Sequence, residues 1–132
     1  MGADCHGFFI EASVTWSTQW VCVATVHTDR DYTAFGVLAG VREKPPDYIA
    51  PRGYPANTSY AVNDHHDAGD CHSETWLTTN EMVAAQVNYM ADFEKPATRV
   101  KPYLGLELAI TIMRLLEERG EKEVRAVFCF DS

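Results

Sequence analysis

Three segments of the chain have patterns of apolar and polar residues that are typical of β-strands. The first alternates from about Ala3 to Val14, and the second, from Gln19 to Val26, holds three valines together with a tryptophan and a threonine. The short link between them favours an antiparallel hairpin. The third segment, Val124 to Asp131, is apolar on both faces, as in a central strand. We therefore expect a sheet that starts with a hairpin and holds the last strand beside the first.

Apolar residues recur every three or four positions in three further segments, which predicts helices over about 32–42, 78–94 and 103–119. Thr78 and Glu81 form a capping box at the start of the second helix, and Gly120 stands where the third should end. The stretch 43–75 holds four of the six prolines and follows neither period. It predicts a long ordered loop, folded over the end of the first strand.

These segments predict an α+β fold: a mainly antiparallel sheet of three to four strands, with helices packed on one face and a long ordered loop. The length of 132 residues and the 46% hydrophobic composition suit a single domain, 1–132. A formal net charge of -8 disfavours general nucleic-acid binding. No apolar run is long enough to cross a membrane, so we expect a cytoplasmic protein. The four cysteines form no Cys-x-x-Cys pair, which predicts free, buried thiols.

Asp4 and His6 are two residues apart on the first predicted strand, so their side chains should emerge on the same face. One interpretation is a general base, His6, oriented by the Asp4 carboxylate. Another is that both residues are metal ligands. The alternative is an Asp–His pair that only fixes the first strand.

A second group of candidates is the segment 64–74, where three histidines, three aspartates and one glutamate occur within eleven residues. Such side chains are ligands of zinc and manganese. Their spacing matches no specific zinc motif, and a solvated acidic loop is the alternative. We take His6, Asp70 and His72 as candidate ligands of a divalent metal, either zinc or manganese.

Guanidinium groups match phosphate oxygens in a bidentate geometry. Arg30, Arg42 and Arg52 are therefore candidates for binding an anionic ligand, with surface ion pairing as the alternative. Trp76 and Tyr32 are candidates to stack on a base, although a tryptophan at this position is also typical of a core.

Short motifs follow one another along the whole chain: MGADCH at the start, RDY at 30–32, LAGVR at 38–42, PRGYP at 51–55, HSETWL at 72–77 and VFCFD at 127–131. In this order they resemble an uncharacterised family of small phage and prophage proteins that open with MGCDIH or MGADIH. That family carries HSHSWL-like and C-terminal VFWFDN-like motifs. This chain departs from it at Cys5, Glu74 and Thr75, and the missing second histidine puts in doubt a metal site that uses both.

The resemblance implies a phage source, and hence the cytoplasm of an infected bacterium, but it implies no reaction. The residues inside its motifs are expected to share a pocket: Asp4, His6, Arg30, Arg42, Arg52, His72 and Ser73. His65 lies outside them, and we expect it in solvent.

The predicted function is hydrolysis of a nucleotide, or of a nucleotide-derived signal of bacterial defence, in a pocket of histidine and aspartate. His6 would be the base or a metal ligand, Asp4 would orient it, and His72 would be a second ligand or an acid. The small phosphate-bearing ligand would contact Arg30, Arg42, Arg52, Ser73, Trp76 and Tyr32. Two alternatives are a non-catalytic sponge that sequesters such a signal and an inhibitor that contacts a host enzyme. Homo-oligomerisation is left open.

Overall fold

The computed structural model describes residues 2–27, 29–69, 71–93, 102–120 and 123–131. Within these ranges the strands are β1 (Asp4–Cys5), β2 (Phe8–Ala12), β3 (Val21–Val26), β4 (His72–Thr78) and β5 (Val124–Asp131). The helices are α1 (Tyr32–Ala39), α2 (Tyr60–Ala68), α3 (Thr79–Phe93) and α4 (Leu104–Glu118). The α+β class is confirmed. No helix among the described residues has the length and apolar character needed to span a membrane.

Strand β5 lies in the middle of an antiparallel sheet. It pairs with β1 and β2 along one edge and with β4 along the other, and β3 pairs with the far edge of β2. The expected neighbourhood of the first and last strands is confirmed, with Asp4 opposite Asp131. The first predicted strand is divided in two at Gly7, whose φ of 108° is rarely adopted by residues with a side chain.

The two faces of the sheet are covered differently. Phe8, Ile10 and Phe128 alternate toward a core shared with α1, α3 and α4. Phe9 and Val127 point to the opposite face, where they pack with Val62 of α2. Of the four helices in the described ranges, α1, α3 and α4 pack on one face of the sheet, as expected, and α2 covers the other face.

The expectation of a loop over 43–75 is wrong for two parts of that stretch, which form α2 and most of β4. Ser59 caps α2 by accepting a hydrogen bond from the backbone N–H of Val62. In α2, Val62 is fully buried while several polar neighbours are exposed, so the segment shows little apolar periodicity. Strand β4 pairs with β5 and begins with polar residues, so its sequence shows no clear alternation of apolar and polar positions.

A buried ion pair ties the start of α2 to the sheet. Glu11 is fully buried and accepts hydrogen bonds from Arg125 Nε at 2.7 Å and from the backbone N–H of Ser59 at 2.6 Å. The Arg125 guanidinium also donates to the Ala56 carbonyl, and its Cζ lies 3.7 Å from the centre of the Trp20 ring. Glu11 thus fixes the N-terminal end of the helix that carries His65.

The expectation of four free thiols is wrong for two of them, because Cys71 and Cys129 form a disulfide. They are 58 residues apart in sequence, but β4 and β5 run side by side and bring their Cα atoms to 5.6 Å. Cys5 is free and buried, and Cys22 is free and half-buried.

Candidate functional site

An open cleft of about 780 Å³ lies where β1 meets the end of β5, beside α2. Its wall contains three carboxylates, three imidazoles and one guanidinium: Asp4, Asp29, Asp131, His6, His27, His65 and Arg30. Residues far apart in the sequence meet here because β1, β5 and α2 all end at this edge of the structure.

His6 lies between two partners in this cleft. Its Nε2 is 2.6 Å from Oδ2 of Asp131, and its Nδ1 is 2.9 Å from Nε2 of His65. A carboxylate accepts a hydrogen bond from the ring N–H, so Asp131 fixes the tautomer in which Nδ1 has the lone pair. The backbone N–H of His6 donates to the Cys129 carbonyl, which holds the residue against β5.

The expectation that His65 lies in solvent is wrong. Helix α2 places its ring against Phe9, with the centroids 5.2 Å apart, and beside His6. Burial, and then the nearby charge of His6, lower the pKa of His65. Val62 and His65 are three residues apart and so share one face of the helix, a signal that becomes visible only once α2 is recognised.

Asp4 lies in the cleft but does not hold His6 as expected. It accepts hydrogen bonds from Arg30 at Nε, 2.5 Å away, and at Nη2, 3.3 Å away. The hydrogen bond from Arg30 lowers the pKa of Asp4, and the same contact raises the pKa of Arg30. Asp131 takes the orienting position that we expected for Asp4, and the Asp4–Arg30 pair forms the neighbouring wall.

The candidate metal ligand His72 does not line the cleft. Its Nδ1 is 2.9 Å from Oγ of Ser73, and its Nε2 is buried without a hydrogen-bond partner among the described residues. Cys71, one residue earlier, lies beside His6 instead, with Sγ 3.9 Å from Nδ1. The expected ligand set of His6, Asp70 and His72 is therefore not assembled around His72, and Asp70 lies outside the described residues.

Of the three candidate arginines, Arg30 is the one that lines the cleft. Arg52 forms an ion pair with Glu81 and lies over the ring of Trp76, 5.0 Å from its centre. Trp76 itself packs on the apolar cluster of Phe9 and Val127 and is not among the residues that line the cleft.

The remaining two candidates lie next to the cleft. The Arg42 guanidinium is 5.4 Å from the centre of the Tyr32 ring, and the Tyr32 hydroxyl accepts a hydrogen bond from the backbone N–H of Ala3. Tyr32 thus supports the chain that leads into β1 and the cleft.

Two histidines of the cleft, His6 and His65, cluster with two cysteines, Cys71 and Cys129. Their candidate ligand atoms all lie within 4.8 Å of one another, with the two cysteines joined as the disulfide. Only His6 in this cluster was a predicted site residue. The others were missed because they are distant in sequence and match no short spacing rule.

No family model matches the chain, and neither a curated protein nor a solved structure matches it. Function is therefore argued from the chemistry of the cleft.

Proposed function

We propose that the cleft is the active site of a hydrolase whose substrate is a small phosphate-bearing molecule, a nucleotide or a nucleotide-derived signal. The observation that carries this proposal is the position of His6, held between Asp131 and His65 in an open cleft that also contains Arg30. This arrangement supplies a proton acceptor, a group that orients it and a cation for the substrate.

His6 is the proposed general base. Asp131 accepts the hydrogen bond from Nε2–H, holds the ring and stabilises the imidazolium that forms when Nδ1 takes a proton from water. The His6 side chain is 18% exposed, so water reaches it from the cleft. His65 lies on the Nδ1 side, where its Nε2–H can donate a hydrogen bond to Nδ1 of His6 or to the attacking water.

Arg30 is the proposed phosphate-binding group. Its contacts with Asp4 fix the guanidinium plane at the wall of the cleft, while the side chain is 54% exposed. A planar guanidinium of this kind binds phosphate oxygens through paired N–H donors.

The charge of the cleft adds a condition to this proposal. Among the described residues of the cleft, three carboxylates face one guanidinium, and the lowered pKa of His65 favours its neutral form. An anionic substrate would therefore be repelled unless a cation accompanied it. We expect turnover to require a divalent cation such as manganese, supplied with the substrate.

The test is to incubate the protein with a panel of cyclic and linear nucleotides, with and without manganese or zinc. Mass spectrometry then follows both the solution and the material released by heating the protein. New products would support hydrolysis. Recovery of an intact nucleotide only after heating would favour the sponge, and neither loss nor binding of any nucleotide would contradict both.

Variants then assign the residues. Because general-base catalysis contributes about 10²–10⁴-fold, His6→Ala should lower kcat by about that factor. Asp131→Asn should also lower kcat, since an amide can present the wrong hydrogen bond to Nε2. His66→Ala is the matched control: it is next to His65 on α2, but its ring is exposed and lies against Tyr54, outside the cleft. Full activity in His6→Ala would contradict the assignment.

A further inference from the structure

Four side chains with metal-binding atoms converge from separate parts of the chain. His6 follows β1, His65 belongs to α2, Cys71 precedes β4 and Cys129 lies in β5. Their ligand atoms lie within 4.8 Å of one another. We infer that, when the Cys71–Cys129 disulfide is reduced, these four side chains bind a zinc ion.

The distances between the ligand atoms suit this ion. Tetrahedral zinc, with bonds of about 2.0–2.3 Å to nitrogen and sulfur, separates its ligand atoms by about 3.4–3.8 Å. Sγ of Cys71 lies 3.9 Å from Nδ1 of His6 and 4.0 Å from Nδ1 of His65. His65 would bind through one ring nitrogen: either Nδ1, on the Cys71 side, or Nε2, which is 2.9 Å from Nδ1 of His6 and would move away from it. The two sulfurs would separate once the bond between them is broken.

Asp131 provides the contact that zinc-binding histidines usually make. A histidine ligand almost always donates its second ring N–H to a carboxylate, a carbonyl or water, which orients the ring and increases its basicity. Nε2 of His6 makes this contact with Asp131 at 2.6 Å and leaves Nδ1 directed at the cluster. Asp131 is therefore a positioning residue for the metal.

The chemistry of the ligands selects the metal. Two thiolates and two imidazoles are typical of zinc, whereas manganese and magnesium prefer carboxylate and water oxygens. Four protein ligands also leave no open position, as in structural zinc sites. Cys129 is 1% exposed, which keeps one side of the site away from water.

Oxidation state controls the site because a disulfide offers no thiolate. A dithiol reductant transfers two electrons and two protons to the disulfide, which gives two thiols and the cyclic disulfide of the reductant. Zinc then displaces the two thiol protons and binds two thiolates. Oxidation by a low-molecular-weight disulfide reverses the process: the Cys71–Cys129 bond forms again, the oxidant leaves as two thiols, and the zinc departs.

The test measures zinc on the full chain in the absence of any nucleotide. The protein is reduced with a dithiol, separated from it without oxygen, given zinc and passed through a desalting column before metal analysis. We expect an equimolar content of zinc in the reduced protein and strong depletion in the oxidised protein. Cobalt in place of zinc should give the visible absorption of a tetrahedral thiolate site.

Three variants make the test specific. Cys71→Ser and His65→Ala each remove one ligand and should weaken zinc binding, while Cys22→Ser, a half-buried free cysteine outside the cluster, should not. Asp131→Asn should weaken zinc affinity by about 10–100-fold, as other contacts of this kind do. Equal zinc content in the reduced and oxidised proteins, or unchanged affinity in both ligand variants, would overturn the inference.

This outcome is separate from that of the proposed function, although both use His6. Zinc binding without nucleotide turnover would support the metal site and contradict the proposed hydrolase. Turnover by a reduced protein that binds no zinc would do the opposite.

Discussion

Replacing Glu11 by alanine should destabilise the protein far more than an ordinary surface substitution. The variant leaves Arg125, which is 6% exposed, without the carboxylate 2.7 Å from its Nε, and it leaves the backbone N–H of Ser59 without its acceptor. Removing one partner of a buried ion pair typically costs about 3–5 kcal/mol, because the other charge stays buried and uncompensated.

The expected change in melting temperature follows from the chain length. Unfolding entropy near the midpoint is about 2.1 cal/mol/K per residue, which for 132 residues is about 0.28 kcal/mol/K. A loss of 3–5 kcal/mol therefore corresponds to a decrease of about 11–18 °C in Tm. Circular dichroism during heating, together with urea unfolding, measures both quantities.

The matched control is Glu118→Ala, at the exposed end of α4, which should stay within about 0.5 kcal/mol of the wild type. Replacing both Glu11 and Arg125 by methionine should recover part of the loss, because no buried charge then remains. A decrease in Tm for Glu11→Ala no larger than that of the control would refute the reasoning.

Three further predictions concern other parts of the fold. Ending the chain after Arg119 removes β5, whose buried apolar side chains contribute about 1.5–3 kcal/mol each against a total stability of about 5–15 kcal/mol. The truncated protein should therefore not melt cooperatively. A soluble product with a cooperative transition would contradict the central place of β5 in the sheet. Burial raises the pKa of Cys5 to about 12, so iodoacetamide should modify it only after unfolding, as peptide mass spectrometry would show. Arg52 lowers the pKa of Glu81, so this carboxylate should stabilise the fold above its unfolded pKa and lose that effect as the pH falls through its lower folded pKa. Urea titrations of Glu81→Gln should therefore show a smaller acid-side loss of stability than the wild type, and an unchanged loss would count against the Arg52 contact.

Local sequence patterns predicted the elements whose stabilising contacts are themselves periodic. The apolar patterns of β2, β3 and β5, and the apolar positions of α3, reflect packing on a core. Helix α4 was predicted, but its buried stripe consists of Leu106, Ala109, Ile110 and Met113, whereas Leu104, Leu108 and Leu115 are exposed. Helix α2 was not predicted, because the contacts that stabilise it are made by residues outside its own sequence. Its start is held by the Ser59 cap and by Glu11, 48 residues earlier in the chain.

Patterns within single segments of the sequence identified only part of the site. His6 was identified from its place beside Asp4, and Arg30 from its chemistry, and both line the cleft. The contact between Asp131 and His6 depends on the pairing of β1 with β5 across 125 residues, so neither strand by itself indicates it. The Cys71–Cys129 pair likewise depends on the register of β4 against β5, which no spacing along the chain indicates.

The two proposals make opposite demands on one atom. Nδ1 of His6 has a single lone pair once Asp131 holds Nε2–H, so it can accept a proton from water or bind zinc, but not both. With manganese supplied, hydrolysis should therefore occur only while His6 holds no zinc, and added zinc should not suppress it while the disulfide is intact. Reduction followed by zinc should suppress turnover, and removal of zinc with a chelator, followed by desalting and fresh manganese, should restore it. If both proposals hold, the oxidation state of Cys71 and Cys129 decides whether His6 acts as a base or as a ligand.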